Sequence, residues 1–370
     1  MVDNGLTQTY TLQLTLQGPC FTGSGARVSK KEYYYNARNH TVSFYDANRL
    51  MDCVLQYQLG DQFVEYMLGP DRTLYDFFHV NGGPDQFAPA FKYQVDCGDA
   101  IFGLGNQPAD ILMHSRNAKG ELYIPGSSVK GMLRTAITAA CVLQKTPEAK
   151  KPSVPECPVG SKEYRKLFLQ DAKDCMRELD KELFHTLKAD QKKAHNAVNS
   201  IFRGISIADS QPLSNKDIVL CRKLDRYPAG GTKGLNVVRE CLRPGLKVNF
   251  PITFDPTLAG FVTPQFIMEA IGLFDGWYTR HVYSKYRGIK LPKLKNHLFL
   301  GGGSGYPSKT VTGPWLQEEA LHYVTALLTL QFKEKNAADE SRFGVSPHML
   351  KCTAVDGQDA LFGLCEVNIL

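Results

Sequence analysis

The sequence predicts an α+β fold in which helices pack on one face of a sheet, as in the ferredoxin-like plan. Residues 10–16 alternate strictly between apolar and polar side chains, which is the period of a half-buried strand. Residues 122–140 read as a strand, a tight turn and an amphipathic helix. Further strands are expected around 203–209, 217–224, 235–242 and 246–254. This order, with long excursions between elements, favours the ferredoxin-like arrangement.

The strongest helical pattern covers about residues 128–143. Its apolar residues repeat with the spacing of one helix face, and Ser127 or Ser128 is available as the N-cap. A loop broken by four prolines follows the helix. A charged helical insertion with an apolar stripe is then expected at about 161–200.

The last third of the chain opens with a second amphipathic helix. Thr263 is its expected N-cap, and Pro264 suits the first helical position. A further apolar helix is predicted to run through Leu316 and Phe332. The final segment, LFGLCEVNIL at 361–370, is expected to be a strand that joins a sheet.

Length and composition limit the classes of protein. A chain of 370 residues favours two domains, or one with large insertions, and 43% hydrophobic residues indicate a chain folded nearly throughout. No leader-like N-terminus and no long apolar run are present, so we expect neither secretion nor a membrane span. Ten scattered cysteines without a CxxC pair indicate reduced cytoplasmic thiols, no metal and no cofactor.

The net charge of +6 is unevenly distributed. Residues 279–310 contain no Asp or Glu and three interleaved tyrosines, and their seven bases are Arg280, Lys285, Arg287, Lys290, Lys293, Lys295 and Lys309. This stretch favours contact with a polyanion. Residues 60–99 carry seven acids against two bases, so they should avoid RNA. They predict either a solvated acidic face or a contact for a basic protein neighbour.

A glycine-rich loop, GGGSGYPSKT, lies at 301–310. Its glycines allow a close backbone approach and present N–H groups to an anion. A nucleotide-binding P-loop is disfavoured, because Ser308 replaces the required glycine and Pro307 lacks an N–H. A purely structural turn is the other alternative. We expect phosphate-backbone binding, with Lys309 supplying charge and Tyr306 a stacking face. The remaining candidate residues of the loop are Gly301, Gly302, Gly303, Ser304 and Gly305.

Two more segments repeat this chemistry. The PGSS turn opens the helix expected from residue 128, and a helix N-terminus favours an anion. Its candidate RNA-binding residues are Gly126, Ser127, Ser128, Lys130 and Arg134, with both bases expected on the face opposite the apolar stripe. Near the N-terminus, a Gly-Ser-Gly turn precedes basic residues, and an exposed hairpin is its alternative interpretation. The candidates there are Gly23, Ser24, Gly25, Arg27 and Lys30.

No catalytic cluster is evident among the nine histidines. His114, His281 and His297 lie in no metal-binding spacing and beside no evident nucleophile, which favours structural or solvated roles. The residues therefore favour a non-enzymatic binding protein. A metal-independent ribonuclease assembled from distant His, Tyr and Lys residues stays open as the alternative.

Three segments together resemble a known family. YIPGSSVKGMLRTA, FRGISIADSQPL and LFLGGGSGYPSKTV are similar to the RAMP superfamily of CRISPR proteins, and most closely to its fifth-subunit family from type III-A Csm effector complexes. The combination of the PGSS helix, an N-terminal GSG turn before three tyrosines and the late glycine loop is the particular feature. The sequence departs from the family at Phe21 and Thr22, where a His-Ile pair is usual.

The resemblance implies two ferredoxin-like, RRM-like RAMP modules, the second degenerate. The first would span 1–255, with insertions at about 26–120 and 145–200, and the second would span 256–370 and carry the glycine loop. The implied role is to bind and cap the 3′ end of the guide RNA (crRNA) and to support its maturation in antiviral defence. Implied partners are the adjacent backbone subunits and other Csm subunits, target RNA and host nucleases, with no membrane. The alternative within the family is an endoribonuclease that processes guide RNA precursor.

Overall fold

A computed structural model gives the fold and describes residues 7–70, 73–100, 110–156, 160–288, 295–332 and 337–370. The strands are β1 (Gln8–Leu16), β2 (Gly23–Val28), β3 (Tyr33–Asn36), β4 (Thr41–Tyr45), β5 (Phe91–Asp96), β6 (Ile111–His114), β7 (Ile205–Ile207), β8 (Ile218–Arg226), β9 (Thr232–Leu242), β10 (Lys247–Phe254), β11 (His297–Phe299), β12 (Leu350–Val355), β13 (Gln358–Leu361) and β14 (Leu364–Ile369). The α-helices are α1 (Ala47–Gln56), α2 (Gly60–Leu68), α3 (Leu74–Val80), α4 (Gly126–Gln144), α5 (Lys162–Phe184), α6 (Pro264–His281), α7 (Thr312–Leu316) and α8 (Ala320–Phe332).

The first sheet has five strands in the order β11-β14-β1-β10-β7. Its central strand β1 pairs antiparallel with β10 on one side and with β14 on the other. Leu12, Leu14 and Leu16 of β1 are fully buried on one face, in the same core cluster as the apolar residues of α4 and α6. The predicted strand at 10–16 and the terminal strand are therefore confirmed, and both belong to this sheet.

Helices α4 and α6 cover that buried face and contact each other. The predicted helix at 128–143 is confirmed, but the predicted serine cap is wrong. The helix begins at Gly126 with Pro125 as N-cap, and no side chain caps it. Instead, the Gly126 N–H donates to the Asp209 carboxylate at 2.8 Å. The Thr263 cap of α6 is confirmed, because its hydroxyl accepts the Phe266 N–H at 3.1 Å.

The second sheet has six strands in the order β13-β12-β8-β9-β6-β2. Its centre is the antiparallel β8–β9 pair, and β6 joins β9 in parallel. The four strands expected between 203 and 254 are thus all present as β7, β8, β9 and β10, but they are divided between the two sheets. Spacing along the chain carries no information on that division, because it depends on long-range pairing.

Insertions surround the two sheets. A three-stranded sheet, β3-β4-β5, packs with α1, α2 and α3 in the first insertion. The helix of the second insertion ends at Phe184, so the expected helical region at 161–200 is half helix and half turns. The expected helix through Leu316 and Phe332 is broken into α7 and α8, where Gln317 adopts a φ of 52°.

Strands from both sides of residue 255 share the five-stranded sheet, and the division into two modules stays a prediction. None of the helices among the described residues is long and apolar enough to cross a membrane.

Candidate nucleic-acid interface

The glycine-rich loop packs closely against the chain itself. Gly301 has a φ of 75°, and a Cβ there would lie 2.1 Å from the carbonyl oxygen of Phe21. The Gly302 N–H donates to the same carbonyl at 2.7 Å. A Cβ on Gly303 would lie 3.2 Å from the ring of Phe362. These glycines therefore allow the loop to pack against the segment before β2 and against the β13–β14 turn. This packing is the role expected of a structural turn.

The polar side chains of the loop point inward. Ser304 and Ser308 are buried, and the Ser308 hydroxyl donates to the Ser304 carbonyl at 3.0 Å. Part of Lys309 reaches solvent, but its ammonium donates to the Phe299 carbonyl. Burial lowers the pKa of Lys309. The Tyr306 hydroxyl pairs with the Thr312 hydroxyl at 2.8 Å. The Lys309 ammonium is therefore engaged within the fold, and its expected contribution of charge to RNA binding stays a prediction.

The bases at the start of α4 are engaged as well. The Lys130 ammonium donates to two carbonyls, at 2.8 Å to Phe202 and at 2.6 Å to Ile205. Burial lowers the pKa of Lys130, and the charge of Arg134 lowers it further. The Arg134 guanidinium pairs with Asp180 of α5. Ser127 is exposed and Ser128 is half-buried, so these two remain accessible. Both bases have partners in the chain, and their expected contact with phosphate stays a prediction.

Arg134 and Lys309 nevertheless line one cleft. Its volume is about 320 Å³, and its walls come from α4, α5 and the second half of the glycine loop. One base of the PGSS site and one base of the glycine loop therefore share a cleft, whereas Gly126, Ser127, Ser128 and Lys130 do not line it. The Asp180 carboxylate lies in the same wall and offsets the positive charge of Arg134.

The N-terminal Gly-Ser-Gly turn is exposed on β2 at the edge of the six-stranded sheet. Gly25 has a φ of 84°, and the Ser24 hydroxyl donates to the Met113 carbonyl at 3.2 Å. Arg27 forms an exposed ion pair with Asp110 at 3.3 Å. A Cβ on Gly23 would lie 2.8 Å from the Phe21 ring, so this turn and the glycine loop meet at Phe21.

Sequence reasoning missed three cations on the six-stranded sheet: Lys223 of β8, Arg239 of β9 and Lys351 of β12. Arg239 pairs in register with Cys221, which is two residues before Lys223 on the same strand. Lys351 pairs in register with Asp225, two residues after Lys223. Residues two apart on a strand, and residues paired across strands, share a face of a sheet. We call Lys223, Arg239 and Lys351 the cation triad.

The cation triad borders the first half of the glycine loop. A Cβ on Gly305 would lie 3.2 Å from the Lys351 Cγ. The Arg239 guanidinium lies over the rings of Phe21 and Phe362, at 5.6 and 5.2 Å from their centroids. These are the two rings against which the loop packs. The loop, the Gly-Ser-Gly turn and the cation triad are therefore gathered on one side of the molecule.

The positive charge of the triad is only partly compensated. Lys351 pairs with Asp225 at 2.8 Å. Within the described part of the chain, Lys223 has no ion pair, and the Nε and Nη1 atoms of Arg239 are buried without a hydrogen-bond partner. Burial lowers the pKa of Lys223, the charges of Lys351 and Arg239 lower it further, and Asp225 acts in the opposite direction. Burial also lowers the pKa of Arg239. An anion bound at this face would reduce the repulsion among the three cations.

The acid-free basic stretch is accessible where the structure describes it. Arg280, Lys285 and Arg287 are exposed, and none forms an ion pair with another described residue. Lys290 and Lys293 lie outside the described residues. The contribution of these bases to RNA binding stays a prediction.

His114 is a buried structural residue. Its Nε2 lies 2.9 Å from the Thr22 hydroxyl, and desolvation lowers the pKa of the imidazole to about 4. Beside it, the fully buried Glu240 accepts from Arg116 at 2.7 Å, from the Tyr93 hydroxyl at 2.8 Å and from the His114 N–H at 3.0 Å. Across the described ranges, no group of three His, Cys, Asp or Glu side chains is placed to hold a metal ion.

Known proteins resemble this chain along almost its whole length. The CRISPR system Cms protein Csm5 of Mycobacterium tuberculosis is 27% identical over 99% of both chains. The protein of that name from Enterococcus italicus is 23% identical over 97% of both. The resemblance to the fifth subunit of Csm complexes, expected from the motifs, is thereby confirmed.

Solved structures share the fold. A chain of the cryo-EM structure of a Csm-crRNA-target RNA ternary complex in a type III-A CRISPR-Cas system superposes with a TM-score of 0.70 at 17% identity, covering 97% of this chain and 100% of that one. The crystal structure of T. onnurineus Csm5 gives a TM-score of 0.57 at 17% identity, covering 96% and 99%. The profile of the RAMP superfamily matches residues 13–306. The chain belongs to the RAMP superfamily.

Proposed function

We propose that this protein is an RNA-binding subunit of a type III-A CRISPR effector complex, in which it binds guide RNA and caps its 3′ end. The observation that carries the RNA-binding role is the cation triad, whose Lys223 and Arg239 form no ion pair with a described residue and lie beside an exposed glycine turn. A phosphate backbone supplies closely spaced negative charges that such a face can neutralise. The proposal that the bound part of the guide is its 3′ end rests on the family resemblance.

The test measures the salt dependence of RNA binding by the full-length chain. Each phosphate contact in a single strand contributes about 0.7 to the slope of log affinity against log salt concentration. Lys223→Gln should therefore lower the affinity and reduce the slope by about 0.7, and adding Lys351→Gln should reduce it further. Lys247→Gln is the matched control, because Lys247 is exposed on β10 of the other sheet. Equal slopes for the wild type and both triad variants would refute the role of this face.

Capping of the 3′ end is tested in the reconstituted effector complex. Complexes assembled with the wild-type chain should protect the last nucleotides of the guide from a 3′ exonuclease. Complexes with the Lys223→Gln and Lys351→Gln double variant should lose that protection while the 5′ end is unaffected. Equal protection of both ends by the variant complex would contradict a 3′-capping role.

We propose that the chain itself catalyses no RNA cleavage. The imidazole of His114 is tied to Thr22 and has a pKa lowered to about 4, which suits neither a general base nor a general acid near neutral pH. Precursor guide RNA incubated with stoichiometric protein in EDTA should remain intact. Cleavage that one histidine substitution abolishes would establish the endoribonuclease alternative.

We propose that the acidic first insertion contacts a protein neighbour in the complex. It exposes large apolar side chains, with Leu55 66%, Leu68 80% and Val80 82% exposed. The acids expected between 60 and 99 include the exposed Asp61 and Asp85, whereas Asp71 and Arg72 lie outside the described residues. Apolar groups rimmed by acids disfavour RNA and suit a basic protein surface.

We propose that the five-stranded sheet is built around one ferredoxin-like unit. The unit follows the chain order β1, α4, β7, β10, α6 and β11, with β14 inserted between β1 and β11 in the sheet. On this proposal the first module of 1–255 is completed by elements of 256–370. A chain cut after residue 255 should then fail to give a cooperative unfolding transition on its own, and a cooperative transition would support two separable modules.

A further inference from the structure

A second cavity lies beside the second half of the glycine loop. Its volume is about 470 Å³, and it is enclosed by the end of α6, the residues after Gly305 and the start of α8. Trp277 and His281 line one wall, and Tyr306 and Pro307 line another. This size lies within the range of small-ligand sites, which start near 300 Å³. Most of the lining is apolar, with a few polar groups at the rim.

The wall of Trp277 and His281 is aromatic and is formed by rings that stack on each other, with Phe274 stacked on the indole as well. The Trp277 and His281 rings stack with their centroids 5.5 Å apart and their planes 19° from parallel. Gly313 of α7 makes room for the indole, because a Cβ there would lie 2.2 Å from the indole Cη2 and Cζ2 atoms. Any side chain at Gly313 would therefore displace Trp277, and the glycine keeps the ring in the cavity wall.

The charged side chains that line the cavity are the exposed Lys285 and the exposed Glu318. Lys285 makes no ion pair with the described residues, so its ammonium is available to a phosphate, whereas the Glu318 carboxylate opposes an anion on its side of the cavity. His281 is also exposed, and its pKa is lowered by desolvation and by the charges of Arg280 and Lys285. The imidazole is therefore neutral near neutral pH and presents an aromatic face. Its ring makes no hydrogen bond within the described part of the chain, so it is available to a ligand.

The opposite wall is fixed by buried contacts. Gly344, Val345 and Ser346 line it just after a π-helical turn at Asp339–Phe343. The buried Asp339 carboxylate accepts from the Ser346 hydroxyl at 2.9 Å and pairs with His348 at 2.6 Å. A wall held by buried charge-assisted contacts keeps the cavity open without a ligand, which reduces the entropy cost of binding.

We propose that this cavity binds one unstacked nucleobase of the RNA, with Trp277 and His281 as the stacking surface and Lys285 on the adjoining phosphate. The inference rests on the proposed RNA-binding function and adds a base-binding site to the backbone contacts. Proteins recognise single-stranded RNA by stacking splayed bases on aromatic side chains. A protein side chain from a neighbouring subunit would also fit an apolar cavity, but it does not account for stacked aromatic rings beside a lysine that has no ion pair among the described residues.

The fluorescence of Trp277 provides a direct test. The chain has two tryptophans, and the other, Trp315, is 2% exposed with an Nε1 that lacks a hydrogen-bond partner among the described residues. Trp315→Phe therefore removes no hydrogen bond and leaves Trp277 as the single fluorophore. The probes are an oligoadenylate and a set of the same strands with one abasic position each. The strand should quench Trp277, and one abasic position should abolish that quenching.

Affinity measurements on the full-length chain complete the test. Trp277→Ala should weaken oligoadenylate binding about five- to 150-fold, the loss expected for one stacked base. It should have little effect on the strand whose abasic position abolishes quenching, and Trp277→Phe should retain most of the affinity. Gly313→Ala should act like Trp277→Ala by displacing the indole. His322→Ala is the control, since His322 is exposed on α8 and does not line the cavity.

The outcomes separate this inference from the proposed function. If oligoadenylate binds with the wild-type salt slope but neither quenches Trp277 nor responds to Trp277→Ala, the base site is wrong and RNA binding stands. If every strand with an abasic position quenches Trp277 as strongly as the intact strand, the base site is also wrong. Quenching by neighbouring subunits without RNA would show that a protein fills the cavity. If the wild-type chain binds no RNA, both proposals are wrong.

Discussion

Acid should destabilise this protein through His114, because the buried imidazole resists protonation. Its pKa falls from 6.5 to about 4 in the folded chain, and desolvation is the main cause. The pKa difference of about 2.5 corresponds to about 3.5 kcal/mol, since one pKa unit is worth about 1.4 kcal/mol. The unfolded chain therefore binds one more proton than the folded chain between pH 6.5 and 4. This stabilisation is fully present above pH 6.5 and is lost as the pH falls to about 4.

Urea unfolding at a series of pH values measures this effect. His114→Gln retains a hydrogen-bonding group near the Thr22 hydroxyl but cannot titrate. The free energy of unfolding should fall less steeply with pH in this variant, by up to about 1.4 kcal/mol per pH unit below pH 6.5. His322→Gln, a change of an exposed histidine, is the matched control. Identical slopes for wild type and His114→Gln would refute the assignment of this proton to His114.

Three further outcomes test the packing and the site. Arg116→Met should lower the free energy of unfolding by about 3–5 kcal/mol in chemical denaturation, because it leaves the buried carboxylate of Glu240 without its cation. Glu240→Gln should lower the free energy of unfolding by less, and a larger decrease for Glu240→Gln than for Arg116→Met would contradict this explanation. Lys309→Met should change neither the RNA affinity nor its salt dependence, because the ammonium already donates to a carbonyl of the chain. A weaker salt dependence in this variant would show that Lys309 contacts RNA. Gly301→Ala should lower the melting temperature, because φ is 75° at this position and a left-handed conformation costs a non-glycine residue about 1–3 kcal/mol, in addition to the clash of its Cβ with the backbone. An unchanged melting temperature would show that the loop can change its conformation without loss of stability.

Local patterns predicted the elements well, because those patterns are set by neighbours in sequence. The alternation in β1 and the Thr263 cap of α6 depend on residues close in the chain, and both are present in the structure. The pattern at Ser127 and Ser128 was misleading, since a distant carboxylate, Asp209, takes the place of a local cap.

The candidate site was harder to predict because its charges come from distant strands. The position of the glycine loop was clear from its composition, but the inward turn of Lys309 depends on the Phe299 carbonyl. The three missed cations lie on β8, β9 and β12, which long-range pairing brings together. One signal was available: Lys223 shares its strand face with buried Val219 and Cys221. A lysine in line with core residues is uncommon and could have marked a functional surface.

The pairing of β1 with β14 also governs when the protein can fold. Leu12 pairs with Ile369, so the central strand β1 lacks one of its two neighbours, β14, until the far end of the chain is made. Contacts between positions so distant in sequence slow folding, because loop closure must come before the contacts form. During synthesis, the edge of β1 that pairs with β14 stays unpaired while β8, β9 and the glycine loop emerge. The proposed RNA-binding face includes Lys351 of β12 and Phe362, so it is complete only after the last strands of the chain have paired.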